Sequence, residues 1–194
     1  MVERNKQIEI FLFINPISES SFKMEKEVLK FIGIYEKDAQ MSILPYHNPQ
    51  TLFNYMQRNH MPTQSTQLWN TLQNDIYHVS LAYIAATIQG KKKGRNFLMT
   101  VQEQIVDQDK PLSKKLLIEA AKKARLDIEM FLSDFHSSFT QSLFHLDQEV
   151  SKTMGATDTP TCVLVTTGEE KTTTLIESSV TAEAPRRSPP PATG

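Results

Sequence analysis

The pattern of apolar and polar positions changes period near the start of the chain. The apolar run 10–14 has the length and residue types of a buried strand, and Asn15-Pro16 closes it. Beyond it, apolar residues recur at helical spacing with charged residues between them. The apolar set is Met24, Val28, Phe31, Ile32 and Tyr35, and the set predicted to face solvent is Lys23, Glu25, Lys26, Glu27 and Lys30. The sequence therefore predicts a strand followed at once by an amphipathic helix.

A second short strand is predicted over 41–46, ended by Pro45 and the turn sequence His47-Asn48-Pro49. From there to Gly155 the spacing of apolar residues is helical. A short helix is expected around 52–56, and the polar stretch 63–67 is expected to be a loop. The next helix is predicted to start at Asn74 or Asp75, either of which is a good N-cap residue, and to stop at Gly90.

The rest of the helical stretch divides at recognisable capping residues. A helix around 97–105 should end before Pro111, Ser113 should cap the following helix, and Asp127 should cap another. A last helix is predicted to end at Gly155. Its apolar positions at helical spacing are Phe139, Leu143, Leu146, Val150 and Met154.

Strand-forming residues return at 161–167 and 171–176, and the linking Gly168-Glu169-Glu170 predicts a β-hairpin. The order β-α-β, helices, β-β is that of an α/β thioredoxin-like fold with a large helical insertion between its halves. We expect one domain over 1–181, with its core at 7–48 and 156–177 and its insertion at about 49–155. The proline-rich tail 182–194 is expected to be disordered.

Composition and charge limit the function classes. A net charge of −1 over 194 residues lacks the basic field that nucleic-acid and anionic-membrane binders use. No apolar run reaches the length of a signal sequence or a membrane span, so a cytoplasmic protein without membrane or nucleic-acid partners is expected. The single cysteine, Cys162, cannot form an internal disulfide or a thiolate zinc cluster, and it is expected to be buried in a strand.

The candidate functional residues lie at the start of the first helix and before the third strand. Ser18 and Ser21 stand where a helix N-terminus exposes free N–H groups, a setting that stabilises a thiolate or a bound anion. An N-cap role for Ser18 needs no catalysis and is favoured on residue type. Thr159-Pro160 precedes the strand, and in this motif order a cis peptide bond facing Ser18 is expected. Ser18, Thr159 and Pro160 are the candidate ligand or partner contacts.

Other conspicuous residues have ordinary interpretations. The five histidines show no metal-ligand spacing, so no metal site is predicted. The basic cluster 91–95 is expected to be a solvated turn after a helix end, where cations suit the helix dipole.

Residues 7–167 resemble the DsbA-like thioredoxin family, and within it the SpxH (YjbH) group. The resemblance rests on Asn15–Phe22, on the helical stretches 81–90 and 92–104 (KKGRNFLMTVQEQ), and on Thr159-Pro160-Thr161. It implies a cytoplasmic adaptor that presents the transcription regulator Spx to the ClpXP protease. The family's Cys-x-x-Cys is replaced here by Ser18 and Ser21, so no catalytic residue, cofactor or dithiol oxidoreductase activity is expected.

The same fold also carries an alternative function. Kappa-class glutathione transferases and the related isomerases have Ser-Pro-x-Ser at the corresponding turn and use its first serine beside the glutathione sulfur. In this chain Ser18 matches that serine, but Glu19 replaces the proline. A carboxylate at this turn would repel a thiolate unless it pointed to solvent. A glutathione-dependent enzyme using Ser18 is therefore one alternative to the adaptor. A structural paralogue without a ligand, which uses the inserted helices as an interaction surface, is another.

Overall fold

A computed structural model describes residues 7–34, 39–167 and 172–176. Four strands form one mixed sheet in the order β2-β1-β3-β4, with bounds β1 Gln7–Ile14, β2 Ala39–Pro45, β3 Thr161–Thr167 and β4 Thr172–Ile176. β1 runs parallel to β2 and antiparallel to β3, and β3 and β4 are also antiparallel. The predicted strand order along the chain and the β3-β4 pairing are confirmed. The linking residues 168–170 and the tail 182–194 lie outside the described residues.

Helix α1, Glu19–Ile34, connects the two parallel strands, as its apolar spacing predicted. It packs Met24, Val28 and Phe31 into the core. The prediction that Glu25 faces solvent is wrong, because its side chain is fully buried. Glu25 lies three residues after Phe22 and three before Val28, so helical spacing places it on their face.

Six further helices lie between β2 and β3. Their bounds are α2 Pro49–Arg58, α3 Thr66–Ile88, α4 Lys91–Gln102, α5 Lys114–Lys123, α6 Ile128–Phe135 and α7 Ser138–Thr153. A π-helical segment, Glu103–Asp107, continues α4. The predicted caps at Ser113 and Asp127 are confirmed, since each side chain accepts the backbone N–H of the residue three positions later.

The start of α3 was predicted wrongly. Ser65 caps the helix by accepting the Leu68 N–H at 3.2 Å, so Asn74 and Asp75 lie inside α3 and only part of 63–67 is loop. The longer helix carries the buried positions Leu72 and Ile76 in addition to the predicted ones. The error arose because Asn74 and Asp75 are good caps by residue type. Packing of Leu72 instead favours a helix that begins before them in the chain.

The basic cluster 91–95 was also assigned wrongly as a solvated turn, because it forms the first turn of α4. Gly90, with a φ of 126°, is the only residue between the Gln89 cap of α3 and the start of α4. A Cβ at Gly94 would collide with Thr87, so glycine is what allows the two helices to pack closely here. The lysines themselves are exposed, as expected.

Helix α7 has the predicted apolar spacing, but part of its apolar face lies at the surface. Phe139 and Leu146 are 59% and 57% exposed, while Phe144 is buried. The buried face also contains Thr140 and Ser151, which no apolar pattern marks. Spacing therefore located the helix without fixing which side packs on the rest of the molecule.

Candidate functional site

The turn between β1 and α1 is closed by its own hydrogen bonds. The Asn15 side chain accepts the Ile17 N–H at 3.1 Å, and the Asn15 N–H donates to the Ser21 hydroxyl at 3.1 Å. The Ser18 N–H donates to the Asn15 carbonyl at 3.0 Å. Ser21 therefore holds the end of the strand against the first turn of α1.

Ser18 occupies the predicted cap position, and its carbonyl accepts the Phe22 N–H at 3.0 Å. Its hydroxyl shares a hydrogen bond of 2.8 Å with the Ser20 hydroxyl. Ser18 is only 3% exposed, whereas Glu19 and Ser20 are exposed. Glu19 points its carboxylate to Lys23 at 2.6 Å, and this hydrogen bond and charge lower the pKa of Glu19.

The Thr159-Pro160 peptide bond is cis, as predicted. The last residue pair between β1 and β3 joins Phe13 to Thr161. The turn after β1 and the residues before β3 therefore meet at the same edge of the sheet. We call the combined feature, residues 15–21 and 158–161, the cis-proline site.

The backbone of Thr159 is engaged within the chain. Its N–H donates to the Asp158 carboxylate at 2.8 Å, and its carbonyl accepts Nη2 of Arg58 at 2.9 Å. Arg58 also pairs with the Asp158 carboxylate at 2.5 Å, and Asn54 donates to the same carboxylate at 3.1 Å. Helix α2 thus fastens the loop before β3. Sequence analysis missed Arg58 and Asp158, which lie 100 residues apart and form no motif.

Ser18, Thr159 and Pro160 are all buried, so a partner could touch their side chains only after this edge opens. Their role in ligand or partner contact stays a prediction. Among the described residues, the Thr159 hydroxyl is buried without a hydrogen-bond partner. Within the described residues, it is the one buried side-chain N or O atom of the cis-proline site without such a partner.

Glu25 is a further buried polar residue whose environment sequence analysis missed. It follows Ser18 by two helical turns and accepts Nε2 of Gln102, on α4, at 2.6 Å. Desolvation raises the pKa of Glu25 to about 8, against the smaller lowering effects of the Gln102 hydrogen bond and the Lys26 charge. Glu25 Oε2 and Gln102 Oε1 have no partner in the described part of the chain. A proton on Glu25 would allow a bond between them, so the neutral acid suits this pair.

Cys162 is fully buried in β3, opposite Leu12 of β1, which confirms its predicted burial. Desolvation raises the pKa of its thiol to about 12. Because the thiolate is the reactive form, this cysteine is poorly suited to nucleophilic or redox chemistry at neutral pH.

Within the described residues, no three His, Cys, Asp or Glu side chains are grouped as metal ligands. Nor does any helix there have the length and apolar character needed to cross a membrane.

A family model described as thioredoxin matches residues 11–184. A ClpXP adapter protein SpxH from Bacillus subtilis is 24% identical over 85% of this chain and 60% of its own length. A protein of the same name from Staphylococcus saprophyticus is 26% identical, covering 81% of this chain and 55% of its own. The chain therefore spans little more than half the length of these curated relatives.

The oxidoreductase DsbA from Xylella fastidiosa has a similar solved structure, with a TM-score of 0.56 and 13% identity over 81% of this chain and 73% of that one. At this identity the likeness concerns the fold alone. The predicted α/β thioredoxin-like, DsbA-like fold with helices inserted between its halves is thereby confirmed.

Proposed function

We propose the function of this chain from one premise: it belongs to the thioredoxin family. On that premise, the function best supported is that of a non-catalytic adaptor, which binds the regulator Spx and promotes its degradation by ClpXP. The observation that carries the proposal is the similarity, over more than four fifths of the chain, to relatives named ClpXP adapter protein SpxH.

The cis-proline site supports a role without thiol chemistry. Ser18 and Ser21 occupy the positions of the family's cysteine pair, and the hydroxyl of Ser21 is used to bind the Asn15 backbone. Cys162 is the only cysteine of the chain, and its raised pKa keeps it protonated. Binding a regulator needs complementary apolar and polar surface rather than a reactive group.

The glutathione-dependent alternative has less support. In that reading, the residue before the cis-proline would pair through its backbone with an extended thiol ligand. Here the Thr159 N–H and carbonyl are bonded to Asp158 and Arg58. A glutathione molecule would have to replace both bonds. Glu19 does not oppose it, because its carboxylate is exposed and paired with Lys23. Calorimetry with reduced glutathione, on the wild type and on Ser18→Ala, tests this directly, and Ser18-dependent binding would favour the enzyme.

The adaptor proposal is tested by reconstituting degradation. Purified Spx is incubated with ClpXP in the presence and absence of this protein, and Spx is followed over time. We expect faster loss of Spx when the protein is present, and a complex of the two on gel filtration. Cys162→Ser serves as the matched control, because a non-catalytic adaptor needs no thiol and should keep its full effect. An unchanged degradation rate with no detectable complex would remove the proposal.

A further inference from the structure

A half-open cavity of about 300 Å³ lies within the inserted helices, between α3, the start of α5, and α6. Its volume is near the lower end of the range for small-molecule sites. Phe131, only 1% exposed, forms part of its wall, and the ring of Phe135 stacks parallel to it with centroids 6.1 Å apart. None of its lining residues belongs to the cis-proline site. We call it the insertion cavity.

Asp75 brings a carboxylate to the wall of this cavity. The residue is half-buried, and within the described chain no hydrogen bond or ion pair engages its carboxylate. Desolvation raises the pKa of Asp75, and the neighbouring His78 on the same face of α3 lowers it to a smaller degree. An anionic group that is partly removed from water and left unpaired attracts a cation more strongly than a fully solvated one.

The other charged or titratable groups at the cavity are Lys114, at the start of α5, and the histidines His78 and His136. All three are exposed, so water screens their interactions. Among the described residues, no ion pair joins Lys114 to Asp75, although both line the cavity. The least solvated charge that faces the cavity is therefore negative.

We propose that the insertion cavity binds a small organic cation, whose apolar body packs on Phe131 and Phe135 and whose charged nitrogen pairs with Asp75. Aromatic rings attract cations through their faces, so they favour the same sign of charge as Asp75 does. An anion of the same shape would meet Asp75 unfavourably, and a neutral molecule would leave the carboxylate unpaired. The proposal does not depend on the adaptor function.

Three probes with the same ring but different charge test the proposal: benzylamine, benzyl alcohol and phenylacetate. Each is titrated into the 194-residue chain at low salt and about pH 7.5, and binding is followed by NMR chemical shifts. We expect benzylamine to bind at least about fivefold more tightly than either other probe, which is about 1 kcal/mol. Nuclear Overhauser contacts between the benzyl ring and Phe135 should locate the bound molecule without any substitution.

Asp75→Asn keeps the shape of the side chain and should reduce the advantage of benzylamine to less than about twofold. Asp107→Asn, which changes an exposed acid away from the cavity, should leave it unaltered. Leu132→Trp should fill the cavity and abolish binding of all three probes, provided that circular dichroism shows a folded protein. Equal affinities, preference for phenylacetate, full benzylamine binding by the Asp75→Asn protein, or no saturable binding would each overturn the proposal.

Discussion

The cis-proline site and the insertion cavity differ in how far their polar groups are hydrogen-bonded within the chain. At the cis-proline site, Asn15, Ser21 and Asp158 are all hydrogen-bonded within the chain, and the backbone of Thr159 is fully engaged. At the insertion cavity, the carboxylate of Asp75 is left without a bond among the described residues and faces aromatic walls. The polar groups at this edge of the sheet are thus mostly bonded within the chain, with the buried Thr159 hydroxyl as the exception, whereas the insertion cavity has an unbonded carboxylate in its wall.

The largest expected effect tests whether the inserted helices and the sheet unfold together. Phe131→Ala removes a buried ring that contacts Phe97 at 5.3 Å between centroids, and it should cost about 3–5 kcal/mol of unfolding free energy. Unfolding in urea would be followed by Trp69 fluorescence in α3 and by the reactivity of Cys162 in β3. Both midpoints should shift together.

Met130→Ala is the control for that change, because the neighbouring side chain is 44% exposed and its loss should cost less than about 0.5 kcal/mol. A shift of the Trp69 transition alone would show that the insertion and the sheet unfold separately, and the two regions would then have to be considered as independent units.

The next effect concerns Glu25 and Gln102, the buried pair that joins α1 to the inserted helix α4. The pKa of Glu25 is about 8 in the folded state, against 4.5 in the unfolded chain. Its stabilising contribution is therefore complete below pH 4.5 and is lost as the pH rises towards about 8. Between pH 4.5 and pH 7 the unfolding free energy should fall by up to about 3 kcal/mol from this group alone.

Glu25→Gln should remove that part of the pH dependence, because an amide has no proton to lose and can still donate to Gln102 Oε1. The measurement is urea unfolding at about pH 5 and pH 7.5 for both proteins. Asp147, whose pKa burial raises to about 7, contributes equally to each, so the difference isolates Glu25. Glu27→Gln on the same helix is the control. Parallel pH profiles for wild type and Glu25→Gln would show that the carboxylate is ionised in the fold.

The smallest effect tests how firmly the cis-proline site is closed. Arg58→Met removes the donor to the Thr159 carbonyl and the partner of Asp158, and it should cost about 1 kcal/mol, since the ion pair itself is partly exposed. Amide hydrogen exchange at Thr159 should become faster. Lys23→Met, which breaks the exposed pair with Glu19, should change neither quantity measurably. Unaltered exchange in Arg58→Met would mean that α2 does not hold the loop.

Much of the fold could be predicted because its signals are local. The period change after Ile14, the caps at Ser113 and Asp127, and the hairpin strands each depend on a few consecutive residues. The start of α3 could not be predicted in the same way. Two good capping residues occur at 74 and 75, and only tertiary packing, which buries Leu72, shows that the helix begins earlier.

The features of the candidate site also differ in whether they depend on adjacent residues or on tertiary contacts. The sequence alone determined the order of the elements, the serines at the start of α1, and the residues before β3, since each depends on adjacent positions. Tertiary structure alone decided that Glu25 is buried against Gln102, that Arg58 holds the Thr159 carbonyl, and that Phe139 of α7 faces outwards. These facts join residues far apart in the chain, so their energies depend on which surfaces meet, and periodicity within one helix carries no information about its neighbours.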